Sequence, residues 1–201
     1  MKLIVGISGA TGVIYGIKLL QVVNKIPEVE THLVITEATK RTLETESDWT
    51  IPQIEALSSY VYGNKDIGAR ISSGSFQTAG MVIIPCSIKT MSSIANSFDY
   101  NLVTRAADVV LKERRKLVLV VRETPLHLGH LRKMVDLTES GAVIMPPVPA
   151  FYHHPKSIDD IVDQTVGKVL DQFRIKHDLF QRWAGMSAPA IEDQTDNSRE
   201  E

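Results

Sequence analysis

Residues 3–16, Leu3-Ile4-Val5-Gly6-Ile7-Ser8-Gly9-Ala10-Thr11-Gly12-Val13-Ile14-Tyr15-Gly16, decide the fold. The apolar run 3–7, closed by Ser8 and Gly9, reads as a strand buried on both faces. From 12 to 24 the apolar residues fall at Ile14, Ile17, Leu20 and Val23, which is helical spacing. A strand that turns through glycines directly into a helix begins a strand–helix–strand unit, and such units build parallel sheets.

The alternation continues along the chain. Strands are expected at 31–36, 81–85, 117–121 and 142–145, and helices at 37–46, 87–95, 102–115, 127–140 and 157–173. Ser157 and Asp160 have the spacing of an N-terminal capping box. Asp108 and Lys112 are spaced to pair along one helix face. The expected fold class is α/β, a three-layer Rossmann-like, flavodoxin-type fold with a central parallel sheet. Residues 1–185 are read as one domain. The polar, acidic stretch 186–201 is expected to be a disordered tail.

Of 201 residues, 43% are hydrophobic and 23% charged, and 22 Lys and Arg face 24 Asp and Glu for a net charge of −2. That balance excludes a broad nucleic-acid footprint, which needs a basic surface. No apolar run reaches the roughly 18 residues that would span a bilayer. Cys86 is the single cysteine, so no internal disulfide forms, and a cytoplasmic setting is expected.

In open parallel folds, ligands bind beyond the carboxyl ends of the strands. The first such loop, with Gly9, Ala10 and Thr11, reads either as a phosphate cradle at a helix N-terminus or as a tight turn whose glycines serve packing. Its glycines at 6, 9 and 12 depart from G-x-G-x-x-G, and it lacks a P-loop lysine. Ser87, Ile88, Lys89 and Thr90 follow the 81–85 strand. They read as a phosphate-holding helix start or as a plain Ser N-cap. Cys86 reads as a buried small apolar residue rather than a nucleophile. Ser73, Gly74 and Ser75 form either a second cradle or a surface loop. Arg122 can pair with phosphate and Glu123 beside it can act as a base, or the two form a local ion pair. Glu46 and Lys112 are titratable residues on helices. Tyr152 and Lys168 follow the proline-rich connection 146–151 and read either as part of a pocket wall or as a packed crossover with a surface lysine. His127, His130, His153 and His154 lack the spacing of a zinc site, so no metal is expected.

Together these stretches resemble the flavin prenyltransferase family, the UbiX/phenylacrylic-acid-decarboxylase type. The resemblance rests on GISGATGVIYG at 6–16, SSGSFQTAGMVIIPCSIKT at 72–90, RAADVVLKERRKLVLVVRETPLHLGHL at 105–131 and GAVIMPPVPAFYHHP at 141–155. It implies an enzyme that joins a dimethylallyl group, from dimethylallyl phosphate, to N5 and C6 of reduced FMN. The product, prenylated FMN, serves a UbiD-type decarboxylase. The resemblance also implies metal-independent chemistry and a large homo-oligomer, commonly a dodecamer. It places FMN contacts at Gly9, Ala10, Thr11, Thr36, Ser87, Ile88, Lys89, Thr90 and Arg122. Prenyl-phosphate contacts fall at Ser73, Gly74, Ser75, Tyr152 and Lys168, and catalytic roles at Glu46, Lys112 and Glu123.

Thr11 and Thr36 stand where the family also has serine, which keeps the hydroxyl. Lys168 stands where arginine also occurs and loses the bidentate fork. Ile67 stands where some members have tryptophan. Two other readings are a decarboxylase acting directly on phenylacrylic or hydroxybenzoic acids and a non-catalytic FMN carrier. A dinucleotide-binding oxidoreductase is disfavoured by the glycine spacing. Ubiquinone synthesis and breakdown of aromatic acids both remain open as destinations of the product.

Overall fold

In the computed structural model, which describes residues 1–183 and Gly185, six parallel strands form one sheet. In chain order they are β1 (Lys2–Ile7), β2 (Glu30–Ile35), β3 (Tyr60–Tyr62), β4 (Gly80–Cys86), β5 (Lys116–Val121) and β6 (Val143–Ile144). The sheet order is β3-β2-β1-β4-β5-β6. The chain therefore winds outward from β1 in one direction and returns to lay β4 on its other side. The β1/β4 boundary is the switch point where such sheets open a ligand crevice.

The helices are α1 (Val13–Val23), α2 (Glu37–Glu46), α3 (Ile51–Glu55), α4 (Ile88–Ala95), α5 (Leu102–Lys112), α6 (Leu128–Glu139) and α7 (Ile158–Gln172). They cover both faces, and the period-2 geometry of strands divides the apolar residues between two cores. Leu3, Val5, Ile7, Val82, Ile84, Val118 and Val120 pack with Ile17 and Leu20 of α1 and with Val166 and Val169 of α7. Ile4, Met81, Ile83, Leu117, Leu119 and Val121 turn the other way, onto Met91 of α4 and Val103 and Ala107 of α5. Continuous apolar runs in β1, β4 and β5 follow from having both faces covered.

The three expected layers and the parallel sheet are present. Three short elements, α3, β3 and a 3-10 turn at Arg70–Ser72, are additional to the sequence reading. β3 is only three residues long, and its Tyr60 and Val61 are exposed at the sheet edge. Its Tyr-Val-Tyr is too short a run to announce a strand. The capping box expected at Ser157 forms, with Ser157 Oγ accepting from the Asp160 N–H at 3.1 Å. The Asp108–Lys112 pair does not form. Asp108 takes Arg105 at 3.3 Å, one helical turn away, and Lys112 pairs with its neighbour Glu113 at 2.5 Å. The acidic stretch 186–201 lies outside the described residues.

Candidate functional site

The loop after β1 and the start of α4 meet at the switch point. Ser8 Oγ donates to Pro85 O at 3.0 Å and accepts from the Ser87 N–H at 2.8 Å, which ties the carboxyl ends of β1 and β4 together. Gly9 then runs so close to α2 that an added Cβ would overlap the Cβ of Ala38. Gly12, at φ 93°, takes the left-handed turn into α1, a conformation glycine adopts without strain. The glycines thus shape the backbone, as the packing reading held, and the same shape opens a cleft on either side of the loop.

The first cleft, about 280 Å³, is lined by Gly9, Thr36, Glu37, Ala38, Asn64, Lys65, Ser87, Lys89, Thr90, Tyr100 and Asn101. Its floor is polar and ordered. Ser87 caps α4, its Oγ accepting from the Thr90 N–H at 3.3 Å and donating to Thr90 Oγ1 at 3.1 Å. Thr36 Oγ1 lies 3.0 Å from Thr39 Oγ1, and Thr39 in turn donates to Ile7 O at 2.8 Å. Hydroxyls and the N-terminus of α4 here face one concave space. This donor set suits a phosphate ester, because free N–H groups and the helix dipole favour an anion. Of the expected contacts, Ala10 and Ile88 do not line this cleft, Thr11 and Arg122 line a second one, and the Ile88 side chain packs against the core. A helix places successive side chains about 100° apart, so Ile88 turns inward while its neighbours line the cleft.

The far wall of this cleft comes from residues that the sequence reading missed. Asn64 accepts through O from the Leu102 N–H at 2.9 Å and through Oδ1 from the Val103 N–H at 3.2 Å. Asn101 closes a capping box with Thr104 at the start of α5. The Asn-x-x-Thr spacing ahead of an apolar run was a readable signal. Asn64, 39 residues from Val103 in sequence, offered none. Lys89 Nζ lies 5.1 Å from the centre of the Tyr100 ring. Glu37, the first residue of α2, pairs with Lys40 at 2.9 Å.

The second cleft, about 450 Å³, is lined by Thr11, Gly12, Ile14, Tyr15, Glu46, Arg122, Pro147, Ile158 and Val162. Glu46 is its most informative residue. One carboxylate oxygen accepts from the Gly12 N–H at 2.7 Å and the Val13 N–H at 3.2 Å. A side-chain carboxylate therefore fills two of the free donors at the start of α1, the position the sequence offered to a phosphate. Arg122 leaves β5 where its N–H donates to Cys86 O at 3.1 Å. Burial pushes the Tyr15 hydroxyl pKa above its ordinary value, and the nearby Arg122 cation opposes that rise.

The other expected residues lie elsewhere. Glu123 is exposed and accepts from its neighbour Thr124 N–H at 3.0 Å; it lines neither cleft. The 73–75 loop and Lys112 sit at the amino end of the sheet, next to the starts of β4 and β5, where Gly80 pairs with Lys116. At about 3.3 Å per residue, β4 and β5 hold that end roughly 20 Å from the clefts. Arg115 fixes the loop there, donating to Gly74 O at 2.7 Å and Phe76 O at 2.8 Å. Ser73 and Ser75 hydroxyls lie 2.9 Å apart, and Lys112 Nζ would come 2.9 Å from a Cβ on Gly74. So 73–75 and Lys112 do come together, but not with Arg122 and Glu46 of the same chain. Tyr152 and Lys168 are exposed near the C-terminal segment and line neither cleft. Cys86 is fully buried, and burial drives its thiol pKa far up.

His127 caps α6 by accepting from the Gly129 N–H at 3.0 Å, and its ring lies 3.6 Å from that of His130, tilted by 35°. Among the described residues, no three His, Cys, Asp or Glu side chains gather as metal ligands. No helix among them is long and apolar enough to cross a membrane.

A family model described as Flavoprotein matches residues 1–170. The flavin prenyltransferase UbiX of Escherichia coli strain K12 is 61% identical over 186 residues, covering 92% of this chain and 98% of that protein. The chain belongs to the flavin prenyltransferase family. Among solved structures, that of AnUbiX (PadA1) in complex with FMN and dimethylallyl pyrophosphate matches with a TM-score of 0.90 at 47% identity, covering 92% of this chain and 98% of the other. A dodecameric FMN-dependent UbiX-like decarboxylase from Escherichia coli O157:H7 matches with a TM-score of 0.90 at 50% identity, covering 92% and 100%. A flavin prenyltransferase needs room for a flavin beside a smaller phosphate ester. Two clefts that share one glycine loop meet that need in shape.

Proposed function

We propose that this chain transfers a dimethylallyl group from dimethylallyl phosphate to N5 and C6 of reduced FMN, yielding prenylated FMN for a UbiD-type decarboxylase. The observation that carries the reading is the pair of clefts divided by the Gly9–Gly12 turn. One is rich in hydroxyls at a helix start, and the other is lined by both Arg122 and Glu46.

Reduced FMN supplies the nucleophilic nitrogen and carbon; everything else falls to the protein. Gly9, Ala10, Thr11, Thr36, Ser87, Lys89 and Thr90 hold the flavin and its phosphate, with Ile88 contributing only its backbone. Arg122 spans flavin and donor. The allylic C–O bond breaks with its electron pair leaving on phosphate, and cationic side chains stabilise that charge. Glu46 lies beside Thr11, where a carboxylate both favours an allylic cation and accepts a proton. The apolar walls at Ile14, Pro147 and Val162 keep water from the cation.

Lys112, the 73–75 loop, Tyr152 and Lys168 lie outside the clefts of their own chain, so they complete the donor site of a neighbouring copy. The chain assembles as a homo-oligomer, as the dodecameric relative does. Glu123, exposed at the lip beside Arg122, meets the donor from its own chain. The site of action is the cytoplasm, a reading supported by the single cysteine.

The test is anaerobic incubation of the protein with reduced FMN and dimethylallyl phosphate, followed by mass spectrometry of the flavin. Gain of one C5H8 unit is expected. Bound but unmodified FMN would overturn the reading, and turnover of an aromatic acid by this chain alone would replace it with direct decarboxylation.

A further inference from the structure

The chain beyond α7 folds back along that helix. Its reversal runs through Arg174, at φ 57°, and the Ile175 N–H returns to Leu170 O at 3.1 Å. The strap 175–183 then lies flat on α7 at Gly167. A Cβ added there would come within 2.5 Å of the Phe180 ring and 2.6 Å of the His177 ring. Absence of a side chain at Gly167 is what lets the strap seat.

One carboxylate holds it. Asp171 Oδ1 accepts from Arg182 Nη2 at 2.6 Å and Oδ2 from Nη1 at 3.0 Å, a two-pronged pair. His177, its side chain almost wholly buried, brings Nε2 to 3.2 Å from Asp171 Oδ1. Its Nδ1 accepts from the Leu179 N–H at 3.3 Å, which leaves Nε2 to face Asp171, with Arg182 Nη2 3.2 Å from the same nitrogen. Asp171 Oδ2 also stands 3.9 Å from Lys168 Nζ. The residue after Arg182 is Trp183, whose ring meets Tyr152 edge-on at 6.1 Å and 78°. Tyr152, Arg182 and Trp183 line one small cleft of about 180 Å³.

We propose that Asp171 is a positioning residue for the donor half of the site: it clamps the strap 175–183 onto α7 through Arg182 and His177, and thereby fixes both Lys168 and Tyr152. The proposal rests on the reading that these two residues meet the prenyl phosphate. Lys168 pairs with Asp171 across 3.9 Å, and Tyr152 meets the edge of Trp183, the residue after Arg182. A mobile lysine or tyrosine would bind the donor more weakly at unchanged chemistry, so the effect falls on KM.

The experiment uses the full chain with Trp49→Phe, which leaves Trp183 as its one tryptophan. Two variants are added to that parent. Asp171→Ala removes the clamp, and Gly167→Ala blocks the seat while sparing every charged group. Trp183 fluorescence anisotropy reports the strap. Both variants are expected to lower it, to raise KM for dimethylallyl phosphate about tenfold, and to change kcat less than about twofold. FMN affinity stays at the parental value. Unchanged anisotropy overturns the clamp. A freed Trp183 with parental KM overturns the positioning role, and so does an equal loss of FMN affinity, which marks general unfolding. If the parent itself consumes no dimethylallyl phosphate, the reading of the function falls and the positioning role with it; a parent that turns over while KM stays put sinks the positioning alone.

Discussion

Mixing two inactive variants should restore activity when their lesions lie in different clusters. Lys112 sits one turn before β5, and Arg122 follows its last residue. Six strand residues at about 3.3 Å each put roughly 20 Å between them. A lysine reaches only about 6 Å from its Cα by ordinary bond lengths. Lys112 therefore cannot touch a small phosphate ester held by Arg122 and Glu46 of its own chain. If each donor site takes Glu46 from one copy and Lys112 from another, Glu46→Gln and Lys112→Ala each abolish every site. Random mixing of the two chains in equal amounts leaves about one quarter of sites with both wild-type halves, by symmetry of a repeated interface. The control is Glu46→Gln mixed with Arg122→Ala. Both residues line the same cleft of the same chain, so no mixed site is intact and no recovery is expected. The assay is dissociation and reassembly of each pair, then C5H8 gain on reduced FMN per total protein. Failure of the Glu46/Lys112 mixture to exceed its parents, or equal recovery in the control, would refute the shared-site reasoning.

Glu46→Gln should also weaken the start of α1, because a charged acceptor for two helix N–H groups becomes neutral. At this exposed position the cost is about 0.5–1 kcal/mol, seen as a fall of roughly 1–4 °C in the melting temperature. Gly9→Ala must move the loop off α2, since the new Cβ collides with Ala38. Overpacking there should cost about 1–3 kcal/mol and reduce FMN affinity at least tenfold in a fluorescence titration; FMN binding at wild-type strength would show that the loop does not border the flavin. Arg182, and then His177, hold the Asp171 carboxyl below its ordinary pKa, whereas burial acts against them. A depressed carboxyl contributes stability above its unfolded value, near 3.8, and loses it as pH falls through the lower folded value. The stability gap between wild type and Asp171→Ala should thus be full near neutrality and shrink below about pH 4; a gap that widens on acidification would contradict the assignment.

The sequence made the sheet legible for a physical reason. β1, β4 and β5 are buried on both faces, so their apolar runs are continuous and hard to mistake. β3 escaped because Tyr-Val-Tyr is too short to show a strand period. The first cleft was half legible. Thr36, Ser87 and Thr90 follow strand ends, where the fold rule directs attention, whereas Asn64 belongs to a loop and acquires its place only by bonding to the start of α5. Glu46 shows the limit most clearly. Read along the chain it is the last residue of a solvated helix, yet it caps a different helix 34 residues away.

Family likeness and chain geometry also convey different things. The resemblance names Lys112, Ser73 and Arg122 as parts of one phosphate site, and it does so without reference to which copy supplies each. Strand length does make that reference. A parallel sheet separates its amino and carboxyl ends by the full length of its strands, so residues at opposite ends meet only across an interface. The exposed Lys112 beside a loop anchored by Arg115 then stops being a misplaced catalytic group. In the proposed arrangement it is half of a site whose other half lies at the opposite end of the next chain. Under this arrangement assembly is a condition of chemistry. A monomeric variant should bind FMN in its first cleft and yet leave dimethylallyl phosphate unconsumed.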